Sequence, residues 1–340
     1  MNNNDTESLL ELRGIKTYFY TDDGVIKAVD GVDLHINQGE ILGLVGESGC
    51  GKSVTSLTTM MLVGPPGKTI EGEIIFQGKN LRDLSETELT DIRGNDISMI
   101  FQEPGTALNP VQKVGTQIAE VIRRHLNLNK RKAWERSVEL LESVKIPDAE
   151  QRAHAYPHEL SGGMAQRVMI AMALACDPVL LIADEPTTAL DVTIQAQILT
   201  LVGDLRERTG TAVLLITHDL GIVADSCDRV AVMYAGNIVE QATTDDIFHN
   251  AKHPYTQGLL KSIPVIGERS ERLDVIPGVV PSLIDLPSGC KFAARCLQHE
   301  EHGMSICTEV DPELKSVSDD DGHLVRCWLY HDYDGHEAPY

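Results

Sequence analysis

The chain predicts an α/β fold, and three observations carry that prediction. A glycine-rich stretch, Gly46-Glu47-Ser48-Gly49-Cys50-Gly51-Lys52-Ser53, follows an apolar strand pattern, Ile41 to Val45, and leads into a helix start. A second apolar run, Val179 to Glu185, ends in two carboxylates, Asp184 and Glu185. Strand-like and helix-like patterns alternate along most of the chain, as a buried parallel sheet covered by helices requires.

In chain order, residues 9–45 alternate apolar and polar positions around short turns and read as antiparallel strands leading to the glycine-rich loop. Residues 70–78 read as another hairpin strand. From about 85 to 160 the pattern turns helical, with Trp134, Val138, Leu141 and Val144 on one stripe. The longest apolar run, Val168 to Cys176, reads as a buried helix. Buried strands are expected at 178–184 and 211–216, a long helix at 191–208 between them, and a hairpin from Val230 to Glu240 turning at Ala235-Gly236-Asn237. Past residue 250 prolines accumulate (Pro254, Pro264, Pro277, Pro281, Pro287) and periodicity weakens, which marks a boundary near 250–265.

With 340 residues the chain has room for two domains, or one large domain with an appendage. A 42% hydrophobic and 24% charged composition is that of a soluble globular protein. No apolar run approaches the roughly 18 residues that span a bilayer, and the polar start Met1-Asn2-Asn3-Asn4-Asp5 lacks a signal sequence. The chain is therefore expected in the cytoplasm, held at a membrane only through a partner. A net charge of −22 argues against a broad basic face for nucleic acid.

The loop at 46–53 reads G-x-x-x-x-G-K-S in the strand–loop–helix context the motif demands. Its glycines let the backbone fold around a polyphosphate with N–H groups aimed inward at a helix N-terminus. Lys52 would reach β- and γ-phosphates, and Ser53 would give a hydroxyl to Mg²⁺. Asp184, at a strand end, would complete the Mg²⁺ shell, and Glu185 could polarise an attacking water. Leu160 to Arg167 opens a helix with Ser161 as N-cap and Gly162 and Gly163 baring more N–H groups. Taken alone that is a capped helix; beside a phosphate loop it is a second anion site.

In these motifs the chain resembles the nucleotide-binding subunits of ABC transporters, over residues 9–250, with a helical subdomain at about 100–175. The resemblance implies ATP and Mg²⁺ held by Gly46, Ser48, Gly49, Cys50, Gly51, Lys52, Ser53, Asp184 and the Q-loop residue Gln102, with an aromatic among Tyr18, Phe19 and Tyr20, Phe19 by its distance to the following strand, stacking on adenine. It implies catalysis by Glu185 with Gln102 and the switch residue His218. It also implies that Ser161, Gly162, Gly163 and the D-loop residue Asp191 face the nucleotide of a second ATPase subunit. Met164 stands where the signature motif usually has Gln. His253 to Leu260 and Pro287 to Cys296 resemble the C-terminal region of dipeptide and oligopeptide importer ATPases, over residues 251–340.

The tail is expected to be irregular and cysteine-rich. Four of the seven cysteines, Cys290, Cys296, Cys307 and Cys327, fall there with the spacing C-x₅-C-x₁₀-C-x₁₉-C. That spacing does not fit zinc knuckles; it suits a [4Fe–4S] cluster held from an irregular loop, with zinc or no metal as alternatives. The resemblance implies import of di- or oligopeptides at the cytoplasmic side of a membrane. The implied partners are a paralogous ATPase, two transmembrane permease subunits and, indirectly, an extracytoplasmic peptide-binding protein, with no nucleic acid. The alternatives are a soluble ABC ATPase acting on nucleic acid or ribosomes, and an importer of nickel or another solute.

Overall fold

The computed structural model describes residues 8–186, 192–262, 276–317 and 322–340. Two compact units are distinguished. One comprises Ile36–Ile41 and Asn80–Ile216 with Ser8 and Leu9; the other comprises Leu10–His35, Leu42–Lys79 and Thr217–Tyr340.

In the first unit the strand Leu180–Asp184 lies between Ile97–Ile100 and Ala212–Ile216, parallel to both. All three strands are buried along their whole length, and burial on both faces is why Leu180–Asp184 and Ala212–Ile216 read as apolar runs. Helices Val114–His125, Lys130–Ser143 and Gly162–Ala173 pack on one another. The predicted stripe is buried at Val138, Leu141 and Val144. Ser85 and Glu88 form a reciprocal capping box at the start of Glu86–Ile92. The strand Ile97–Ile100 lies inside the stretch expected to be helical. Four residues, Ile-Ser-Met-Ile, carry too little periodicity to separate a short strand from a turn of helix.

In the second unit, Ser8–Thr21 pairs antiparallel with Gly67–Phe76 in a four-stranded sheet that also holds Gly24–Asn37 and Lys79–Asn80. The strand Ile41–Val45 leaves this antiparallel set. It is buried on both faces and runs parallel to Arg229–Tyr234, with Leu44 opposite Ala231. Arg229–Tyr234 and Asn237–Thr243 form the expected hairpin, and its two turn residues, Ala235 and Gly236, both have positive φ (44° and 84°). That pair of left-handed residues matches the twist of a two-residue hairpin loop.

The tail adds to this same sheet. Leu324–Val325 pairs with Asn237–Thr243, Glu240 opposite Val325, and Lys315–Ser316 pairs in turn with Leu324–Val325. The other described residues of the tail form loops and short helices, Pro254–Lys261, Leu297–Glu301 and Ile306–Glu309 among them, with a small core. Met304, Ile306, Cys307, Val325, Cys327, Trp328 and Leu329 build that core. Residues on both sides of position 250 thus belong to one compact unit.

Candidate functional site

The glycine-rich loop is shaped by close backbone approaches. Gly46 has φ 153° and Gly51 φ 113°. A Cβ at Gly46 would run into the Met233 carbonyl, and one at Gly51 into the Ala28 carbonyl, so neither position admits a side chain. Lys52 opens the helix Lys52–Thr59 and is buried. Its Nζ donates to the carbonyls of Gly46 at 2.8 Å and Glu47 at 3.0 Å, inside the curl of the loop. The ammonium therefore sits where polyphosphate oxygens would replace those carbonyls. Cys50 is fully buried and its thiol is pushed up by burial, so it serves packing rather than chemistry. The loop is tied down further by Gly236 N–H donating to Cys50 O at 2.8 Å.

Also in this unit, His218 is exposed just beyond the strand end. Asp219, beside it, caps the helix Leu220–Ser226 through Gly221 N–H at 2.9 Å and Ile222 N–H at 3.3 Å. Phe19 is half-buried, and a Cβ on Gly67 would strike its ring. Tyr20 is exposed, and the Tyr18 hydroxyl donates to Asp30 at 2.5 Å.

In the other unit, Asp184 ends its strand almost fully buried. Glu185 follows with φ 47°, a left-handed conformation that a non-glycine residue adopts only under constraint. The constraint includes a bond from Glu185 N–H to Ile216 O at 2.9 Å. Gln102 Nε2 donates to Glu185 Oε2 at 3.2 Å, which brings together two residues 83 positions apart. Ser161 caps the helix Gly162–Ala173 by accepting from Met164 N–H at 3.3 Å, and a Cβ at Gly162 would meet nothing within 4 Å. An exposed, glycine-led helix start therefore presents free space to an approaching anion. Gln166, within the signature motif, has a role that no local sequence signal announces. Its buried Nε2 donates to Pro186 O at 2.8 Å, fastening the signature helix to the residue after Glu185. Asp191 lies outside the described residues.

In the tail, Cys290 N–H donates to Cys307 O at 2.8 Å, and Cys290, Cys307 and Cys327 share the apolar core. Burial, and for Cys327 also its neighbours Cys290, Cys296 and Cys307, pushes these thiols up, Cys290 to about 12 and Cys307 to about 11. Cys290, Cys296 and Cys307 all contribute to the upward push on Cys327. Among the described residues, however, no group of three or more His, Cys, Asp or Glu could hold a metal ion, so the expected metal-ligand set is not formed as placed. No described helix is long and apolar enough to cross a membrane.

Comparison with known proteins fits this geometry. A family model described as ABC transporter matches residues 29–188, and one described as oligopeptide/dipeptide transporter, C-terminal region, matches residues 239–302. The chain is 52% identical over 328 residues, 96% of each chain, to the probable peptide ABC transporter ATP-binding protein y4tR of Sinorhizobium fredii. It is 53% identical over 324 residues to the oligopeptide transport ATP-binding protein AppD of Bacillus subtilis, covering 95% of this chain and 97% of that one. Among solved structures, the ATP-binding cassette MJ0796, described as a dimer in a post-hydrolysis state bound to ADP and Pi, matches with TM-score 0.64 and 28% identity. That match covers 69% of this chain and 98% of the other. The chain belongs to the ABC transporter ATPases, in the branch of oligopeptide and dipeptide transporter ATP-binding proteins.

Proposed function

We propose that this chain is the ATP-hydrolysing subunit that powers import of di- or oligopeptides through a membrane ABC transporter. The observation that carries the reading is near-full-length likeness to peptide transport ATP-binding proteins in a chain whose Glu185 carboxylate is held by Gln102. In this reading the amides of Gly46, Ser48, Gly49, Cys50 and Gly51, together with Lys52, bind the phosphates, and Phe19 stacks on adenine. Ser53 and Asp184 hold Mg²⁺, Gln102 orients Glu185, and Glu185 positions the water that attacks the γ-phosphate while His218 senses that phosphate. Ser161, Gly162, Gly163 and Asp191 serve the nucleotide of a paralogous partner subunit. Closure and reopening of that pair drive two permease subunits at the cytoplasmic face of the membrane, which take peptide from an extracytoplasmic binding protein. Purified intact transporter tests this: peptide-loaded binding protein should stimulate ATP hydrolysis, and mass spectrometry should find peptide bound. Stimulation by nickel or nucleic acid in place of peptide would overturn it.

The reading extends to the tail. Four cysteines in one short tail, at a spacing that suits no zinc knuckle, are what supports a [4Fe–4S] cluster there. Cys290, Cys296, Cys307 and Cys327 would be its ligands, and its role would be to hold the tail folded. Iron and acid-labile sulfide on anaerobically purified protein test this; four titratable thiols without either would retire the cluster.

A further inference from the structure

The tail reaches the phosphate loop directly, and among the described residues its hydrogen bonds to that loop converge on Glu47. Arg295 grips the Glu47 carboxylate with both guanidinium ends, Nη1 to Oε2 at 2.7 Å and Nη2 to Oε1 at 3.1 Å. Tyr255 Oη accepts the Glu47 backbone N–H at 2.9 Å. The Glu47 carbonyl accepts from Lys52 Nζ at 3.0 Å. All three polar groups of Glu47 are thereby engaged, two of them by the tail.

The grip itself is rigid. The Arg295 side chain is 5% exposed. Its Nε donates to Pro277 O at 2.7 Å, and its guanidinium lies over the rings of Tyr234 and Phe292. Tyr255 is fully buried against Tyr234 and Phe292. A second cation from the same segment, Lys291, donates to Asp30 at 2.9 Å and to the Ala235 carbonyl at 3.1 Å. These two cations lie between Cys290 and Cys296, so the segment that links the tail's cysteines also carries the anchor points.

We propose that Arg295 and Tyr255 are positioning residues for nucleotide binding, acting through Glu47. They do two things. They fix the loop's conformation before the nucleotide arrives, which lowers the ordering cost of binding. Arg295 also neutralises a carboxylate that the loop would otherwise hold beside a triphosphate, where like charges oppose binding. Without Arg295, Glu47 is a free anion in an anion site.

Removing the stranded charge separates neutralisation from a purely structural role. The inference rests on the loop binding ATP, which is checked separately: Lys52→Ala in the full chain should abolish MgATP binding, whatever Arg295 does. Equilibrium MgATP binding is then measured on the folded full-length chain for Arg295→Ala and for the pair Arg295→Ala with Glu47→Ala. Arg295→Ala should weaken binding roughly tenfold, about the worth of one charge-assisted hydrogen-bonded contact with a partly solvated partner. Adding Glu47→Ala should restore most of that loss, because the stranded anion is gone. In the assembled transporter the loss should appear in KM for ATP more than in kcat. Wild-type affinity for Arg295→Ala, or no recovery in the double variant, would overturn the proposal. If Arg295→Ala does not yield folded protein, Arg295→Lys decides. It keeps the charge but loses the two-pronged grip, and should bind ATP several-fold more weakly than wild type; unchanged affinity would overturn the proposal.

Discussion

Glu185 is the residue on which turnover should depend most sharply. Its left-handed backbone and its bond from Gln102 hold the carboxylate, while Lys52 and the loop amides are the groups proposed to bind the nucleotide. Glu185→Gln should therefore lower ATP hydrolysis by on the order of a hundredfold or more, the usual worth of a general base, and leave ATP binding near wild type. Single-turnover hydrolysis in the assembled transporter, corrected for the partner's site, checks this; wild-type turnover would remove Glu185 from the mechanism. Lys52, Asp184 and Glu185 stand out in the sequence because each sits in a short motif whose spacing suggests a chemistry. The Glu47–Arg295 pair was not, since its members are 248 positions apart and neither belongs to a local pattern that announces the other. Gln166 was read as part of a motif, but only the fold reveals that it fastens the signature helix to Pro186.

Two element ends make predictions of their own. The helix Gly162–Ala173 begins at Ser161 with open space before it. Ser161→Arg places a cation against the positive end of the helix and blocks an approaching anion. Transport should fall while this chain's own ATP binding through Lys52 persists, as read by nucleotide titration of the isolated chain; loss of that binding would place the signature in this chain's own site. At the start of Pro254–Lys261, His253 accepts the Tyr255 N–H at Nδ1, at 3.0 Å, and so must be unprotonated there. Burial drives its ring down from 6.5 to about 4. The unfolded chain then binds the proton more readily between those values, so stability falls as pH drops from 6.5 toward about 4, by about 3 kcal/mol at 1.36 kcal/mol per pH unit. His253→Asn keeps an N-cap but cannot titrate. Its thermal midpoint should fall less steeply with acid than wild type's, and parallel slopes would discount the histidine. The pattern of strands at 41–45, 178–184 and 211–216 was readable because strands buried on both faces read as apolar runs. The strand Ile97–Ile100 was hidden because it is four residues long with a serine in it, too short to show a period.

For the whole molecule, the boundary read near residue 250 follows composition, whereas the packing follows contacts. Glu240 shows why the two differ. It is fully buried and accepts from the backbone N–H groups of Lys252, at 2.6 Å, and His253, at 2.9 Å, while its carboxylate also pairs with His323 at 2.8 Å. With Arg295 on Glu47 and Lys291 on Asp30, the tail is built into the unit that carries the phosphate loop. The central claim is that ATP hydrolysed by this chain drives peptide import. The most direct measurement is uptake of a labelled oligopeptide into proteoliposomes carrying the assembled transporter, with ATP and binding protein supplied on their proper sides. Wild type should accumulate peptide only with hydrolysable ATP, and Glu185→Gln should bring uptake to a small fraction of that. Peptide accumulation unaffected by both the variant and the withdrawal of ATP would contradict the account.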